Sequence, residues 1–491
     1  FYLASLSAQT KNYSVAKNLF EKIIRIEPNH DVAYANLGAV LKELGKSDEA
    51  VDACKKAISI QPNNSIAYNN LGAALKELGK LKEAVNACKK AILLEPRNFS
   101  AYHNLALALE ELGEIKEAIN CYEKLSKIKP NSVNAYKNLG KLNVMLGEKE
   151  EAIKYYKLAI QYDSENLLHY YALSDLDKKS LDENLKKNID KINIKGNFKN
   201  QNLSYANFLL SKYELNSKNY DKEFNYLLKG HGYYLLSEKE HYRKDIEYWL
   251  NILPKNKELN NLEIINNDIK IEKDSFAPIF IIGAPRCGST LIEKIIASGP
   301  QYVTMGEETG ILSSFVKQKI TQQKVIYSKI SDMRKDLIER YREKNIIQPN
   351  TNYIFTDKTL DNFFYIRLIK DIFPLSKIIN CKREPLASIV SILKNNLPNV
   401  PWAHDLDHIF KYFDIYYKLV KNYNKSFPNF IYELSLEKLS LEPEKESEKL
   451  MEFCGLPWDK KCLEFYKRKD LISKTSSNLQ IRSAIHKHSL D

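Results

Sequence analysis

The chain has 491 residues, enough for two or three domains that each bury a core. Hydrophobic residues make up 44% of it, which excludes a disordered class, and no apolar run approaches the ~20 residues of a membrane span. Lys plus Arg at 74 against Asp plus Glu at 62 gives a net charge of +12, a balance that favours anionic ligands or acidic partners.

Much of that charge stands beside acids, as in Lys42-Glu43, Lys76-Glu77 and Glu148-Lys149. Such pairs read as solvated helix faces, so neither a nucleic-acid partner nor a membrane span is expected. The seven cysteines are scattered, with no CxxC pair, which reads as free thiols in a reducing compartment; the expected localisation is cytoplasmic. The chain opens at Phe1, inside a repeat and without methionine. A fragment is therefore expected, and a lost targeting segment stays open.

The first third repeats itself. Tyr34, Tyr68, Tyr102, Tyr136 and Tyr170 recur at one interval, as do Gly45, Gly79, Gly113 and Gly147, and Pro28, Pro62, Pro96 and Pro130. The interval is that of the tetratricopeptide repeat (TPR), a helical pair of about 34 residues. Gly38, Gly72 and Gly140 let the first helix approach its neighbour, Gly45 and its copies permit the turn between helices, and the proline ends the second helix. Each unit buries its face only against the next, which predicts a superhelix with a concave groove. Asn36, Asn70, Asn104 and Asn138 share the period. They read either as an amide ladder that holds a peptide backbone or as residues that merely suit the repeat, with the groove open to a saccharide, a lipid-linked acceptor or a partner.

After Tyr170 the register is lost. Residues 175–202 keep Leu and Ile at helical spacing and read as a helical connector, and 203–234 resemble a further helical pair. His231 and His241 read as packing or surface residues. From Phe276 the pattern changes to strands alternating with helices, which predicts a parallel sheet with crossover helices. Strands are expected at Ile279-Phe280-Ile281-Ile282, at Tyr353-Ile354-Phe355 and at 376–381, with functional groups delivered at their carboxyl ends.

The first strand runs into Gly283-Ala284-Pro285-Arg286-Cys287-Gly288-Ser289-Thr290, where a glycine-bounded turn opens a helix. Backbone N–H groups at a helix start and the helix dipole make such a turn an anion cradle. The spacing nearly fits the triphosphate loop G-x-x-x-x-G-K-[ST], but Ser289 stands where that loop needs its lysine, and Arg286 lies inside the turn instead.

This segment is similar to the 5′-phosphosulfate loop of sulfotransferases that use 3′-phosphoadenosine 5′-phosphosulfate (PAPS). It most resembles the tyrosylprotein sulfotransferase branch and its bacterial TPR-bearing relatives. The resemblance implies a multidomain α + α/β chain: a TPR superhelix over 1–172, a helical connector with a further TPR-like pair over 173–272, and a P-loop-like α/β sulfotransferase domain with a central parallel sheet over 273–491. It implies PAPS as co-substrate and adenosine 3′,5′-bisphosphate as product. No metal is expected, since Arg and Lys can supply the positive charge.

By the same resemblance Arg286 would contact the sulfonate and the bridging oxygen, while Cys287, Gly288, Ser289 and Thr290 cradle the 5′-phosphate. Arg383 and Ser391 match a strand–R-x7-S–helix signature that grips the 3′-phosphate, a task suited to arginine's fork. Met305-Gly306-Glu307-Glu308-Thr309 resembles the family's G-E-E-T segment, which makes Glu308 the expected base, with Glu307 a structural neighbour. Lys358 matches a lysine that donates to the bridging oxygen, although Asp357-Lys358-Thr359 departs from the family's N-K-D-P. Ser477, in a T-x-S-x-x-Q-V-R-like segment, takes the place of a serine that contacts the sulfonate. Gly455-Leu456-Pro457-Trp458-Asp459 matches a structural corner. The family's adenine-side tyrosine is replaced within Ser435-Leu436-Glu437-Lys438-Leu439.

The branch suggests a protein tyrosine, presented by the groove, as acceptor. Two rival classes stand beside this: a nucleotide kinase or NTPase using the same cradle, and a non-catalytic TPR scaffold.

Overall fold

In the computed structural model the described residues are 1–195, 199–255, 276–321, 330–347, 354–468, 470, 471 and 485. The chain divides into two compact units, Phe1–Ser164 with Glu343–Asn345, and Glu165–Arg342 with Ile346–Asp491. The boundary expected after residue 172 lies within the helix Leu167–Leu176, which belongs with the second unit.

In the first unit the period becomes antiparallel helix pairs, such as Asp31–Glu43 with Ser47–Ile60 and Ser65–Glu77 with Leu81–Leu94. Three successive repeats start on a side-chain cap: His30, Asn64 and Asn98 accept from the backbone N–H of Ala33, Ala67 and Ala101. Gly45, Gly79, Gly113 and Gly147 turn the chain between helices at φ of 74°, 76°, 86° and 80°, where side chains rarely sit. Gly38 is dictated by packing, because a Cβ there would stand 2.4 Å from the Cys54 sulfur.

Two of the recurring asparagines, Asn70 and Asn104, have their amides engaged within the array. Asn70 Nδ2 donates to the Ala35 carbonyl at 2.9 Å, and Asn104 Nδ2 donates to Asn69 Oδ1 at 2.9 Å. These bonds stitch one repeat to the next.

The second unit begins with the helices Leu167–Leu176 and Glu183–Lys195, then the pair Asn200–Asn216 and Tyr220–Ser237. Among the described residues four parallel strands follow: β1 Ile279–Gly283, β2 Thr356–Asp357, β3 Lys377–Lys382 and β4 Ile431–Ser435, in the order β2-β1-β3-β4. β1 and β3 run in register from Ile279 opposite Lys377 to Gly283 opposite Cys381. Every residue of β1 is buried, as a central parallel strand covered on both faces requires. The strand expected at Tyr353-Ile354-Phe355 is shifted: Phe355 makes an isolated bridge with Thr304, β2 itself is Thr356–Asp357, and Tyr353 lies outside the described residues.

One core cluster joins the underside of the sheet, including Phe280, Phe363 and Tyr416, to the helical pair through Tyr205, Phe208 and Leu209. The other face, with Ile281, Ile292 and Ile379, packs on Leu450 and Met451 of the helix Pro443–Cys454. The corner at Gly455 has φ 68°, and Trp458 Nε1 bonds Ser447 Oγ at 2.9 Å.

Candidate active site

Three of the parallel strands deliver the candidate residues at one edge. β1 leads into the turn 284–288 and the helix Ser289–Ala297, β2 leads into Lys358, and β3 leads into Arg383 and the helix Pro385–Leu393. Strand order places the ends of β2 and β3 on either side of the β1 turn. This is the carboxyl edge at which open parallel sheets hold ligands.

The turn is built for close approach. Gly288 is the N-cap of Ser289–Ala297 at φ 90°, with no side chain to cap the helix, and a Cβ there would stand 2.7 Å from Leu436 Cδ1. The helix thus starts without a side-chain cap; the Ser289 N–H meets the Cys287 thiol and the Leu291 N–H returns to the Gly288 carbonyl at 3.0 Å. Arg286 also sits in the left-handed region, at φ 68°, a conformation costing a non-glycine residue about 1–3 kcal/mol. Ser289 and Thr290 are buried at the helix start. The Cys287 thiol faces inward, hydrogen-bonded with Cys381 and Ser289. Those bonds hold it below the ordinary thiol range, while burial pushes Cys381 above it. Any contact from Cys287 to a ligand is thus through its backbone.

Arg286, Arg383 and Ser391 meet. Arg286 Nε donates to Ser391 Oγ at 3.1 Å, and Arg383 Nη1 donates to the Arg286 carbonyl at 3.2 Å. Burial and the neighbouring Arg383 both lower the Arg286 pKa from its ordinary value. Two guanidinium groups held together at half-buried positions destabilise one another unless an anion lies against them. The donor set of two forked cations and a hydroxyl, beside a helix N-terminus, fits a nucleotide carrying two separate anionic groups.

The second cluster lies at the end of β2. Lys358 is fully buried, and its Nζ stands 3.3 Å from Glu308 Oε1, whose side chain is 57% exposed. Burial opposes the lysine's charge, but Glu308, Glu293 and Glu307 together outweigh it and raise its pKa above the usual lysine value. Lys358 is held in place by its neighbour. Asp357, also fully buried, accepts from Thr309 Oγ1 at 2.7 Å, Tyr341 OH at 2.6 Å, the Thr359 N–H at 3.0 Å and Asn362 Nδ2 at 3.1 Å. The departure from N-K-D-P therefore comes with an anchoring aspartate on the strand side of the lysine.

Sequence reasoning passed over two parts of this site. Glu293, in the helix after the turn, is buried beneath Glu307; its only trace in the sequence is an acid inside the apolar stretch Leu291 to Ala297. The other part is the helical connector. The Tyr171 hydroxyl accepts from the Asn396 N–H at 3.4 Å and the Tyr205 hydroxyl from Asn396 Nδ2 at 3.2 Å, while His231 Nε2 contacts the Leu393 carbonyl at 2.8 Å. Tyr171 and the connector residues Tyr205 and His231 thereby brace the end of the helix that carries Ser391. His231 is a packing residue, its Nδ1 3.0 Å from that of His404, and burial lowers its pKa to about 4. The side chain of His241 and the whole of Ser477 lie outside the described residues. Among the described residues no group of three or more His, Cys, Asp or Glu could hold a metal ion, and no helix is long and apolar enough to cross a membrane.

The comparisons agree with this architecture. Residues 278–460 match the sulfotransferase family and so belong to a sulfotransferase domain. Tetratricopeptide repeats match over 32–64, 65–98, 87–120, 109–147 and 133–166. The chain is thus a multidomain α + α/β protein that joins TPR repeats to a sulfotransferase-family domain. A curated relative, an uncharacterized protein of Aquifex aeolicus (strain VF5), is 29% identical over 305 residues, which cover 59% of this chain and 39% of that protein. The chain thus spans well under half the length of that relative. Among solved structures, MamA is 27% identical, with 33% of this chain and 94% of that one covered at a TM-score of 0.30. A tetratricopeptide repeat protein of Parabacteroides merdae ATCC 43184 is 19% identical, with 47% and 90% covered at a TM-score of 0.35.

Proposed function

We propose that the chain is a PAPS-dependent sulfotransferase that moves a sulfuryl group to an acceptor hydroxyl, with the repeats over 1–172, the connector over 173–272 and the transferase domain over 273–491. The observation that carries this is the joining of Arg286, Arg383 and Ser391 beside an uncapped helix start, with the Glu308–Lys358 pair at the end of the adjacent strand. Bound PAPS would supply a sulfuryl group already attached to a phosphate leaving group.

In this account Arg383 and Ser391 hold the 3′-phosphate and fix the register of the nucleotide. Ser289, Thr290 and the backbone from Cys287 to Gly288 hold the 5′-phosphate. Arg286 neutralises the sulfonate and the bridging oxygen. Glu308, open to solvent and so to an acceptor, takes the proton from the acceptor hydroxyl as the new oxygen–sulfur bond forms. Lys358 donates a hydrogen bond to the bridging oxygen as the old sulfur–oxygen bond breaks. Ser477 completes the expected set. Arg and Lys provide the positive charge this chemistry needs, so we expect no metal.

The acceptor we favour is a peptide tyrosine. This rests on the likeness of Met305 to Thr309 to the tyrosylprotein sulfotransferases, and the TPR groove is the proposed holder of that peptide. All seven cysteines are buried free thiols, which fits a reducing compartment such as the cytoplasm. The test is incubation with radiolabelled PAPS and a cell extract, followed by identification of the labelled product. Label on a protein tyrosine is the expected result, and label on a saccharide or small molecule would move the acceptor class. Turnover of ATP with magnesium and no label from PAPS would replace this reading with a kinase or NTPase.

A further inference from the structure

Beneath the turn that carries Glu308 lies a carboxylate with no surface at all. Glu293 projects from Ser289–Ala297 and is fully buried. Its Oε1 accepts from the Glu307 N–H at 2.9 Å and from the Thr356 hydroxyl at 2.5 Å. Thr356 Oγ1 in turn accepts from the Gly306 N–H at 3.1 Å. One carboxylate oxygen thus ties the phosphate-loop helix, strand β2 and the 306–307 turn into a closed ring of hydrogen bonds. The turn has no slack, since a Cβ at Gly306 would stand 2.0 Å from the Thr356 carbonyl oxygen.

Glu307 is held at φ 56°, in the left-handed region. A non-glycine residue stays there only where its surroundings over-determine it. Here its N–H is fixed by Glu293 and its carbonyl accepts from the Lys358 N–H at 2.7 Å. That conformation sets the direction in which the next residue, Glu308, leaves the backbone. The arrangement does not serve stability alone. Among the described residues the buried Glu293 Oε2 has no hydrogen-bond partner, and an apolar residue of the same size would avoid that cost.

We propose that Glu293 is a positioning residue for sulfuryl transfer: it locks the Gly306–Glu307 turn so that Glu308 meets Lys358 at the reacting edge. The inference rests on the sulfotransferase reading above. Glu293 also places negative charge next to Lys358. Burial pushes its pKa up to about 7, Lys358 opposes that shift and Glu307 adds to it. The charged or titratable groups facing it are therefore Lys358, Glu307 and, from β3, Cys381.

The test compares Glu293→Ala and Glu293→Gln with the wild type in the full chain. The alanine variant is expected to lower transfer from radiolabelled PAPS about 10²-fold, the size of effect a misplaced catalytic group produces. Its affinity for adenosine 3′,5′-bisphosphate should stay within about twofold, because Glu293 is not placed on the nucleotide. Glutamine keeps an acceptor oxygen for the Glu307 N–H and is expected to restore most of that loss. Two readouts need no nucleotide. In a crystal structure of Glu293→Ala, Glu307 should leave its positive φ.

In calorimetry, the native carboxyl titrates above its ordinary value of 4.5, so the stability it contributes is present below pH 4.5 and lost as pH rises through about 7. Glu293→Gln should therefore gain in melting temperature over the wild type at pH 8.5 relative to pH 5. Wild-type transfer by Glu293→Ala, or an unchanged Glu307 backbone, overturns the positioning role; a pH-independent melting difference overturns the buried charge. A wild type that binds no nucleotide and transfers no label overturns the sulfotransferase reading instead, while the crystallographic and calorimetric arms still decide the role of Glu293.

Discussion

In the repeat array several polar side chains close on neighbouring backbone and amides: Asn70 bonds the Ala35 carbonyl, Asn104 bonds Asn69, and the caps at Asn64 and Asn98 take up helix-start amides. At the sheet edge the interior polar groups are charged and incompletely matched. Lys358 and Glu293 are fully buried, Glu293 Oε2 finds no hydrogen-bond partner among the described residues, burial and Arg383 lower the Arg286 pKa, and two non-glycine residues, Arg286 and Glu307, sit in the left-handed region. The first arrangement is what stability alone produces. The second costs stability, which is what the proposed chemical role of this edge would require.

Four substitutions can break or sharpen that contrast. Glu308→Gln removes the expected base, and transfer should fall about 10²–10⁴-fold while nucleotide binding holds. Isothermal titration beside a radiolabel assay checks it, and retained turnover would discard Glu308 as the base. Arg286→Ala should lower turnover about 10²–10³-fold, the range for losing one charge-stabilising donor, as read by single-turnover transfer. Arg383→Ala should weaken adenosine 3′,5′-bisphosphate about tenfold to a hundredfold, which corresponds to losing a charge-assisted bond to phosphate. The smallest expected effect lies in the other region. Gly38→Val forces side-chain atoms onto the Cys54 sulfur and should destabilise the array by about 1–3 kcal/mol in denaturant unfolding, with nucleotide affinity unchanged. If that variant weakened nucleotide binding as much as Arg383→Ala does, the two regions could not be treated as separate.

The same contrast explains what the sequence makes legible. A repeat is written in its period, so tyrosine, glycine and proline at fixed intervals reveal the helix pairs before any contact is known. β1, its glycine turn and β3 are equally plain, because a buried parallel strand is a short apolar run followed by its functional residue. The partners of the site are not periodic. Tyr171 reaches Asn396 across 225 positions of chain, and Glu293 beside Lys294 looks like a solvated pair until helix packing buries both. β4, Ile431–Ser435, mixes buried and exposed residues and was hidden for that reason. At the Glu308 position the sequence shows two adjacent acids, whereas the structure exposes the Glu308 side chain beside Lys358 and buries a third carboxylate, Glu293, beneath the turn.

The most direct measurement is isothermal titration of the wild-type chain with adenosine 3′,5′-bisphosphate, repeated with Arg383→Ala and with magnesium-ATP. The account predicts clear binding by the wild type, weaker binding by the variant and no ATP turnover. No heat with the bisphosphate, together with hydrolysis of ATP, would contradict it.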